Sequence, residues 1–515
     1  MMEAALVLVI AAVCAMAIFR FFKWDRIQKS RPPTSCVLPV MEDQTKLDRM
    51  IAPLLSNQPD ATGLRLVVDN IEAFAVRIES AKHAERSLDL QYYYWKNDLT
   101  GKLLCAAIIR AANRGVRVRL LLDDINSHGL DTTYLALDSH ENIEVRLFNP
   151  VANRKHRLQR LMELILRYSA KSNRMHNKSW IADGRMAVVG GRNIGDAYFD
   201  ASKQVSFRDI DVLAIGRSVR EAETIFDRYW NCKASISIRA LHRFHNPKLA
   251  KLLRRLNAFE KRGDAKRFLN LVGHVTPSDS MFQSAGNFHW TKDVNIDADP
   301  PEKVMGEKSE IWLAEKIQSR IQSAKTDIEI VSPYFIPGHS GVEELRGLVT
   351  RGVRVSVLTN SLAATDVIAV HGAYARYRKP ILQNGVALFE LKQQGAKKRS
   401  SLFGSSSASL HTKCFVIDGS EGFIGSFNFD PRSKAINTEM GIFFRHSKLA
   451  SELQKNFKTQ TSSSFSYRLE IKNGTLTWRD DTTSQNGNWT REPDTTFIRR
   501  LTAHIVGMLP IESQL

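Results

Sequence analysis

The feature of this sequence that most limits its fold is an internal repeat. The segment RGVRV begins at Arg114 and occurs again at Arg351, 237 positions later. A second block starts HNKSWIADG at His176 and returns as HTKCFVIDG at His411, 235 positions later. Two accidental similarities would not keep nearly the same spacing, so the chain is predicted to contain two copies of one fold.

Each copy is predicted to be an α/β unit. An alternating strand is followed by an amphipathic helix and by a second strand rich in Val and Leu. This order predicts a right-handed crossover with parallel strands. We therefore expect one half at residues 60–235 and another at 300–455, joined by a linker at 236–300. Residues 456–515 are expected to add two strands and a last amphipathic helix.

The N-terminus carries an apolar run at residues 4–22 that only Arg20 interrupts. Its length approaches that of a membrane-spanning helix. Only Glu3 is charged before the run, whereas five Lys and Arg residues lie within 20–31. A secretory signal would carry its positive charge first, so residues 1–30 favour a transmembrane anchor with a basic flank over a cleaved signal. Positive charge after the helix predicts a cytoplasmic catalytic body.

The overall charge of the chain indicates which class of molecule it binds. The formal net charge of +19 predicts an anionic partner, either nucleic acid or anionic lipid. The predicted anchor favours lipid. The five cysteines include no CxxC pair, which argues against a disulfide framework and against a structural zinc site.

The repeated block places a histidine and a lysine two positions apart, ahead of an Asp-Gly turn signal. On a strand, residues i and i+2 share a face, so each imidazole projects beside an ammonium group. A small-residue step then lets the backbone approach a ligand, and an asparagine 17 positions after each histidine can donate to an oxygen. These residues are His176, Lys178, Gly190, Gly191 and Asn193 in the first copy, and His411, Lys413, Gly425, Ser426 and Asn428 in the second.

Pseudo-twofold packing of the halves would bring both sets to one centre. Lysine and amide donors suit the oxygens of a phosphoryl group in transfer. One histidine can attack phosphorus while the other protonates the leaving oxygen. The lysines can supply the positive charge that a divalent ion supplies elsewhere, so we expect no metal and no cofactor.

The doubled HxKxxxxD pattern, each copy followed by GG or GS and then asparagine, resembles the phospholipase D superfamily. The resemblance implies two α/β/α sandwich halves that share one active site. It implies that His176 is the nucleophile and His411 the general acid and later the base, with phosphate held by the lysines and asparagines. The catalytic motif residues are His176, Lys178, Asp183, His411, Lys413 and Asp418, although the two aspartates sit at turns and are expected to be mainly structural.

In this superfamily a further carboxylate orients each histidine. Glu439, in the stretch NTEMG, is the natural choice for His411. The matching stretch for His176 is FRDIDV, where Asp209 is the first choice and Asp211 the second. The segment DAYFDASKQV loosens the spacing of the first copy just before this stretch.

Within the superfamily, the sequence is most similar to bacterial cardiolipin synthases of the C-type branch. Segments such as LDLQYYYW, VGGRNIGDAYF and IGSFNFDPRS carry this resemblance across residues 85–450. It implies transphosphatidylation, in which phosphatidylethanolamine or phosphatidylglycerol donates a phosphatidyl group to phosphatidylglycerol, giving cardiolipin. The C-type branch implies phosphatidylethanolamine as the donor. The resemblance implies phospholipid partners in the bacterial inner membrane and no nucleic acid, and it leaves an unidentified protein partner open.

Two further segments have both a membrane interpretation and a simpler one. Residues 153–174 interleave basic and apolar side chains and lead into His176, which favours a lip that docks on anionic headgroups over a solvated surface helix. The helix predicted at 496–509 sets large apolar residues on one face. It fits an interfacial membrane helix or, more commonly, a helix packed on its own domain.

Three rival functions share some of these features. A hydrolase of the same superfamily would use water as the acceptor and release phosphatidic acid. A nuclease would also suit the positive charge, but the predicted anchor and the lip argue against it. A non-catalytic membrane scaffold would have lost a motif histidine or lysine, and all four are present.

Overall fold

The computed structural model describes residues 25, 27, 29–41, 43–127, 129–151, 154, 173–242, 248–275, 285–307, 311–393, 407–482 and 487–515. The anchor predicted at 4–22 lies outside these residues. Among the residues described, no helix combines the length and apolar character needed to cross a membrane.

The first half is built on a mixed nine-stranded sheet. The strands up to the second half are β1 (Thr62–Val67), β2 (Ser87–Tyr92), β3 (Arg117–Asp123), β4 (Ile143–Phe148), β5 (Ser179–Ala182), β6 (Met186–Gly190), β7 (Val205–Arg208), β8 (Asp211–Gly216), β9 (Ser235–Ser237) and β10 (His289–Thr291). The helices are α1 (Lys46–Leu55), α2 (Asn70–His83), α3 (Leu99–Asn113), α4 (Asp131–Asp138), α5 (Val219–Asn231), α6 (Ile238–Leu241), α7 (Leu249–Glu260) and α8 (Gly263–Val275).

The second half is built on a ten-stranded sheet. Its strands, together with β15, are β11 (Val294–Ala298), β12 (Asp327–Val331), β13 (Arg354–Asn360), β14 (Ala387–Leu391), β15 (Ser407–Leu410), β16 (Cys414–Ile417), β17 (Glu421–Gly425), β18 (Met440–Arg445), β19 (Ser466–Lys472), β20 (Thr475–Arg479) and β21 (Asn488–Trp489). The helices are α9 (Leu313–Gln322), α10 (Gly338–Thr350), α11 (Ile368–Ala375), α12 (Arg378–Gln383), α13 (Pro431–Ala435), α14 (Ser447–Thr461) and α15 (Phe497–Met508).

The two sheets repeat one topology. Six strands run in the order β8-β6-β5-β2-β3-β4 in the first sheet and β18-β17-β16-β12-β13-β14 in the second. Strands β2 and β3 pair in parallel across α3, and β12 and β13 pair in parallel across α10, which confirms the pairing predicted from the strand–helix–strand order. The repeated Arg-Gly-Val segment forms the tight turn from helix to strand in each copy. Gly115 and Gly352 have φ of +95° and +88° there, a conformation that a side chain disfavours.

An apolar layer joins the halves. A single buried cluster contains side chains from both sheets, including Val189 and Ala214 of the first and Ile424, Met440 and Ile442 of the second. The helices α2 and α3 cover the other face of the first sheet with their own core. The sheets therefore meet at a packed interface, and their relative position is fixed by core packing.

The segment predicted as a linker belongs largely to the two halves, which corrects its boundaries. Helices α7 and α8 pack on α3 and α2, and Leu256 and Phe268 are buried in the first core. Strand β10 pairs with β1, and β11 pairs with β18. The amphipathic pattern of α7 and α8 carried this information, but their basic surface residues suggested an exposed connection.

This packing predicts that Phe268 stabilises the first half. Its ring is fully buried and lies 5.0 Å from Phe74 in an edge-to-face arrangement. We expect Phe268→Ala to lower the free energy of unfolding by about 3–5 kcal/mol, because the substitution leaves a cavity. Phe497→Ala removes an exposed ring and should change that free energy by less than about 0.5 kcal/mol. Denaturant titration measures both, and equal effects would contradict the revised boundary.

Candidate active site

Backbone pairing between the halves places both histidines. Met175 forms a parallel bridge with Thr438, and the His176 amide donates to the Thr438 carbonyl at 2.8 Å. Strand β15 pairs in parallel with β7, and the His411 amide donates to the Arg208 carbonyl at 2.8 Å. Each histidine therefore lies where the backbone of its own half forms hydrogen bonds with the backbone of the other half.

This pairing decides which carboxylate holds which histidine. His176 Nδ1 lies 2.9 Å from Glu439 Oε2, and His411 Nδ1 lies 2.6 Å from Asp209 Oδ2. The two predicted acids are the right residues, but the assignment of Glu439 to His411 and of Asp209 to His176 is wrong. Each acid directly follows the residue that pairs with the other half, so it reaches the histidine across the interface. Asp211, the second choice, instead pairs with Arg77 at 2.8 Å.

The buried carboxylates fix the state of the imidazoles. A carboxylate at Nδ1 accepts a hydrogen bond from the Nδ1–H group, which leaves the lone pair on Nε2, directed away from the acid. Burial lowers the pKa of His176 to about 4, although Glu439 opposes this shift. Burial and the nearby Lys413 cation hold the pKa of His411 well below its usual range. Both rings are therefore neutral near pH 7 before an anion binds.

The two lysines are buried beside the histidines that they follow. Lys178 Nζ donates to the His176 carbonyl at 2.5 Å, and Lys413 Nζ donates to the His411 carbonyl and lies 3.1 Å from His411 Nδ1. Burial lowers the pKa of Lys413 to about 8, against the opposing effect of Asp209, and it lowers the pKa of Lys178 strongly. The site thus combines two lysines, two carboxyl groups and two neutral rings in a volume shielded from water, and protonated lysines suit a phosphodiester anion.

Asn193 and Asn428 occupy equivalent buried positions after β6 and β17. Their neighbours Ile194 and Phe429 form matching bridges to Trp95 and Phe335. The side-chain oxygen of each asparagine is buried without a hydrogen-bond partner among the described residues. Each oxygen can therefore accept a hydrogen bond from a hydroxyl or N–H group of a ligand, because a buried polar atom is rarely left unpaired.

The small-residue step before these asparagines packs closely against Asp209 and Asp211 in the first copy, a contact that was not predicted from the sequence. A Cβ atom on Gly191 would stand 2.6 Å from Asp209 Oδ1, and one on Gly190 would stand 2.7 Å from the Asp211 Cα. In the second copy Ser426 takes the place of Gly191, and its hydroxyl donates to Glu439 Oε2 at 2.5 Å.

The motif aspartates lie outside the centre, so the catalytic grouping of Asp183 and Asp418 is wrong for these two residues. The Asp183 carboxylate accepts from the amides of residues 85–87, at the end of β5 away from His176. Asp418 accepts from the amides of residues 325–327. Both adopt positive φ, 53° and 50°, in the turns that their Asp-Gly context predicts. They fasten the turn to the start of the neighbouring strand.

Sequence reasoning missed two tyrosines that face the imidazoles. Tyr198 lies edge-on to His411 at 5.0 Å between ring centroids, and its hydroxyl is 3.4 Å from His411 Nε2 and 3.1 Å from Asn193 Nδ2. Tyr93 lies edge-on to His176 at 5.0 Å. Tyr198 belongs to the segment DAYFDASKQV, and this extra sequence in the first copy was the available signal.

The basic lip predicted at 153–174 lies mostly outside the described residues. The described cations within it are engaged by the protein. The Arg154 guanidinium is buried and donates to Asp131 at 2.7 Å, and Arg174 lies 3.6 Å from the buried Asp123. These two side chains form ion pairs within the protein, so they do not make the predicted headgroup contacts.

The packing of Gly191 predicts a large effect of a single methyl group. Gly191→Ala should displace the Asp209 carboxylate and release His411 Nδ1, so phospholipid turnover should fall by about 10²-fold or more. The matched control is Gly273→Ala, since no atom lies within 4 Å of a Cβ at that helical position. Initial rates of the two variants test this, and a similar rate for both would show that the step does not seat the acid.

Comparison with known proteins agrees with the duplicated site. The family model described as "Cardiolipin synthase, PLD-like domain" matches residues 77–230 and 317–461, one range in each half. The chain is 39% identical over 472 residues to cardiolipin synthase C of Escherichia coli (strain K12), which covers 91% of this chain and 99% of that protein. It is 26% identical over 398 residues to a cardiolipin synthase of Geobacillus sp. (strain WCH70), covering 77% and 66% of the two chains.

A solved structure supports the fold independently. The phosphatidylserine synthase of Haemophilus influenzae Rd KW20 superposes with a TM-score of 0.54 at 13% identity, covering 80% of this chain and 91% of that chain. At this identity the likeness concerns the fold alone. The family match, which spans more than half of the sequence, and the relative in Escherichia coli carry the assignment. This chain belongs to the cardiolipin synthase family of the phospholipase D superfamily.

Proposed function

We propose that the enzyme makes cardiolipin by moving a phosphatidyl group from one phospholipid to the free hydroxyl of phosphatidylglycerol. The observation that carries the proposal is the pair of buried imidazoles, each held at Nδ1 by a carboxylate from the other half. This arrangement leaves two Nε2 atoms available for one phosphorus, with two lysines to bind the phosphate oxygens. It supports a double displacement through a phosphohistidine.

In the first displacement, the neutral His176 Nε2 attacks the phosphorus of the donor lipid. The bond from phosphorus to the headgroup oxygen breaks, and protonated His411 gives its proton to that oxygen. The phosphatidyl group is then bonded to His176, and the headgroup alcohol leaves. Lys178 and Lys413 compensate the charge on the phosphate oxygens, as preorganised cations do in phosphoryl transfer.

The second displacement reverses these roles. His411, now neutral, accepts the proton from the hydroxyl of phosphatidylglycerol, and the resulting oxygen attacks the phosphorus. The bond from phosphorus to His176 breaks, which releases cardiolipin and restores the neutral imidazole. Water in place of phosphatidylglycerol would give phosphatidic acid, so exclusion of water by the tyrosine-lined site favours transfer over hydrolysis.

Different surroundings support different roles for the histidines. Burial would raise the pKa of Glu439, but His176, Lys178 and the Ser426 hydroxyl together lower it, so this acid remains charged beside the nucleophile. Burial raises the pKa of Asp209. A Glu439 carboxylate that stays ionised stabilises the His176 ring, which becomes cationic when its Nε2 bonds to phosphorus. His411, with the Tyr198 hydroxyl near its Nε2, suits the proton-transfer role.

His411 must carry a proton at the start of this sequence. Its depressed pKa reflects burial and the neighbouring lysine cations. A bound phosphodiester adds a negative charge beside the same lysines and favours the imidazolium form. Substrate binding therefore prepares the acid, and an empty site keeps both rings neutral.

The finer parts of the proposal rest on the resemblance to the C-type branch. That branch suggests phosphatidylethanolamine as the donor and ethanolamine as the released alcohol. The predicted anchor suggests the bacterial inner membrane as the location, with the catalytic body facing the cytoplasm.

Mass spectrometry of products from purified enzyme and defined lipid mixtures tests the reaction. Cardiolipin with ethanolamine is the expected result, and phosphatidic acid alone or cleaved DNA in a parallel digest would overturn it.

The crossed carboxylates predict which acid matters. Glu439→Gln keeps the size of the side chain but removes the anion that fixes the His176 tautomer, so kcat should fall by about 10²–10⁴-fold. Asp418→Asn is the control, because this motif aspartate holds a turn away from the centre, and it should retain activity within about tenfold. Cardiolipin formation under saturating lipid measures both. Equal losses would place Asp418 in the chemistry and contradict the assignment.

The lysine pKa predicts an alkaline limit. The Lys413 cation is present below its pKa of about 8 and is lost as the pH rises through that value. In the free enzyme, kcat/KM should therefore fall above about pH 8, because the phosphate loses a partner. Lys413→Arg keeps its charge at high pH and should move this limb upward even if its plateau is lower. A pH profile on dispersed short-chain lipid measures the effect, and an unchanged limb in the arginine variant would assign it elsewhere.

A further inference from the structure

The helix α15 packs on the second half with its small residues. Ala503 and Gly507 are buried, and a Cβ on Gly372 of α11 would stand 2.4 Å from the Ala503 carbonyl oxygen. A Cβ on Gly507 would likewise stand 2.6 Å from the Gly372 carbonyl oxygen. The two helices thus cross at close backbone contact, which only small residues permit. The packed face of α15 is therefore not its large apolar face.

The large apolar side chains point away from the protein. Phe497, Ile498 and Met508 are 69%, 74% and 65% exposed, and Leu501, Ile505 and Leu509 are also exposed. At 3.6 residues per turn, these six positions fall within roughly a third of the helix circumference, opposite Ala503 and Gly507. A helix that only completed its own domain would bury such a face. The helix therefore packs on its own domain, as one of the two sequence interpretations predicted, but through its small residues and not through its large apolar side chains.

The exposed face carries a charge preference as well. Residues 497–510 contain Arg499, Arg500 and His504 but no aspartate or glutamate. An apolar face with the Arg500 cation near its edge and no carboxylate in the helix complements an anionic lipid surface better than a neutral one.

The helix is also connected to the residue that precedes His411. The Arg499 guanidinium donates to the carbonyls of Leu362 and Thr365, at 2.8 and 2.7 Å, in the segment that follows β13. Asn360, the last residue of β13, exchanges hydrogen bonds with the Leu410 backbone at 2.9 and 3.0 Å. Leu410 directly precedes His411. Hydrogen bonds at Leu362 and at Asn360, two residues apart in the chain, therefore connect α15 to the residue before His411.

We infer that α15 is the surface by which the catalytic body docks on anionic phospholipid bilayers, with its six exposed apolar side chains inserted among the lipids. This inference rests on the proposed function, since it explains how a buried phosphate site meets substrates that remain in a bilayer. Docking through α15 brings the segment after β13 toward the headgroups, and Asn360, just before that segment, binds the residue before His411. It is a second attachment, independent of the anchor predicted at residues 4–22.

The test compares one aspartate at two exposed apolar positions. Ile498→Asp places a negative charge in the docking face, whereas Met41→Asp places it on a side chain that is 53% exposed at the opposite end of the strands, beside the Asp183 turn. Full-length protein is assayed on vesicles of phosphatidylglycerol and phosphatidylethanolamine, and on the same lipids as dispersed short-chain forms. Ile498→Asp should lose about tenfold or more of the vesicle rate and keep the dispersed rate within about twofold, and Met41→Asp should keep both.

Each alternative gives a distinct result. Equal vesicle rates for the two variants would overturn docking through α15, whereas a wild-type enzyme that forms no cardiolipin from either substrate would overturn the proposed function. Amide hydrogen exchange of residues 497–509 provides a direct readout. Phosphatidylglycerol vesicles should slow it and phosphatidylcholine vesicles should slow it less. Slowing that depends on protein concentration without vesicles would assign the face to a second copy of the chain and overturn the lipid proposal.

Discussion

The backbone pairing between the two halves is the interaction on which the site depends. The amides of His176 and His411 donate to carbonyls at Thr438 and Arg208 of the opposite half, and the residue that follows each acceptor in the chain is the orienting acid. Neither half contains a complete histidine–carboxylate pair. The duplication therefore has a chemical consequence: a single copy of the fold could bind an anion but could not orient its own imidazole. The apolar layer between the sheets supplies the rigidity that holds these pairs at hydrogen-bond distance.

The same interface sets the electrostatic balance. Lys178, Lys413, Asp209 and Glu439 are all buried around two imidazoles that burial keeps neutral. Buried charges are stable only when they compensate one another. When both lysines are protonated and both carboxyl groups are ionised, these four charges balance, so a bound phosphodiester brings an excess negative charge that one imidazole can neutralise by taking a proton. A site arranged in this way would respond to its substrate by creating the acid that the first step needs.

Sequence reasoning predicted the parts of this site that depend on local pattern. The repeat predicted two halves, the two-residue spacing placed each lysine beside its histidine, and the Asp-Gly signals located the turns at Asp183 and Asp418. It failed where the answer depends on contacts between strands that are far apart in the chain. Glu439 follows His411 in the sequence, yet it binds His176. The spacing of residues along the chain does not show which segments pair across the interface. The contact of Gly191 with Asp209 was not predicted, because a periodic pattern does not show which side chain packs against a glycine.

A buried phosphate site and a bilayer substrate impose opposite demands on one protein. The rings of His176 and His411 are almost enclosed, which strengthens their interactions with the carboxylates but separates them from lipids that remain in a membrane. The protein must therefore bring the mouth of the site to the headgroups. We propose that α15 does this, and its small residues make it possible by forming the close contact with α11. Because Ala503 and Gly507 make the internal contact, the large apolar side chains remain available for lipid. Packing and docking are thus divided between two faces of one helix.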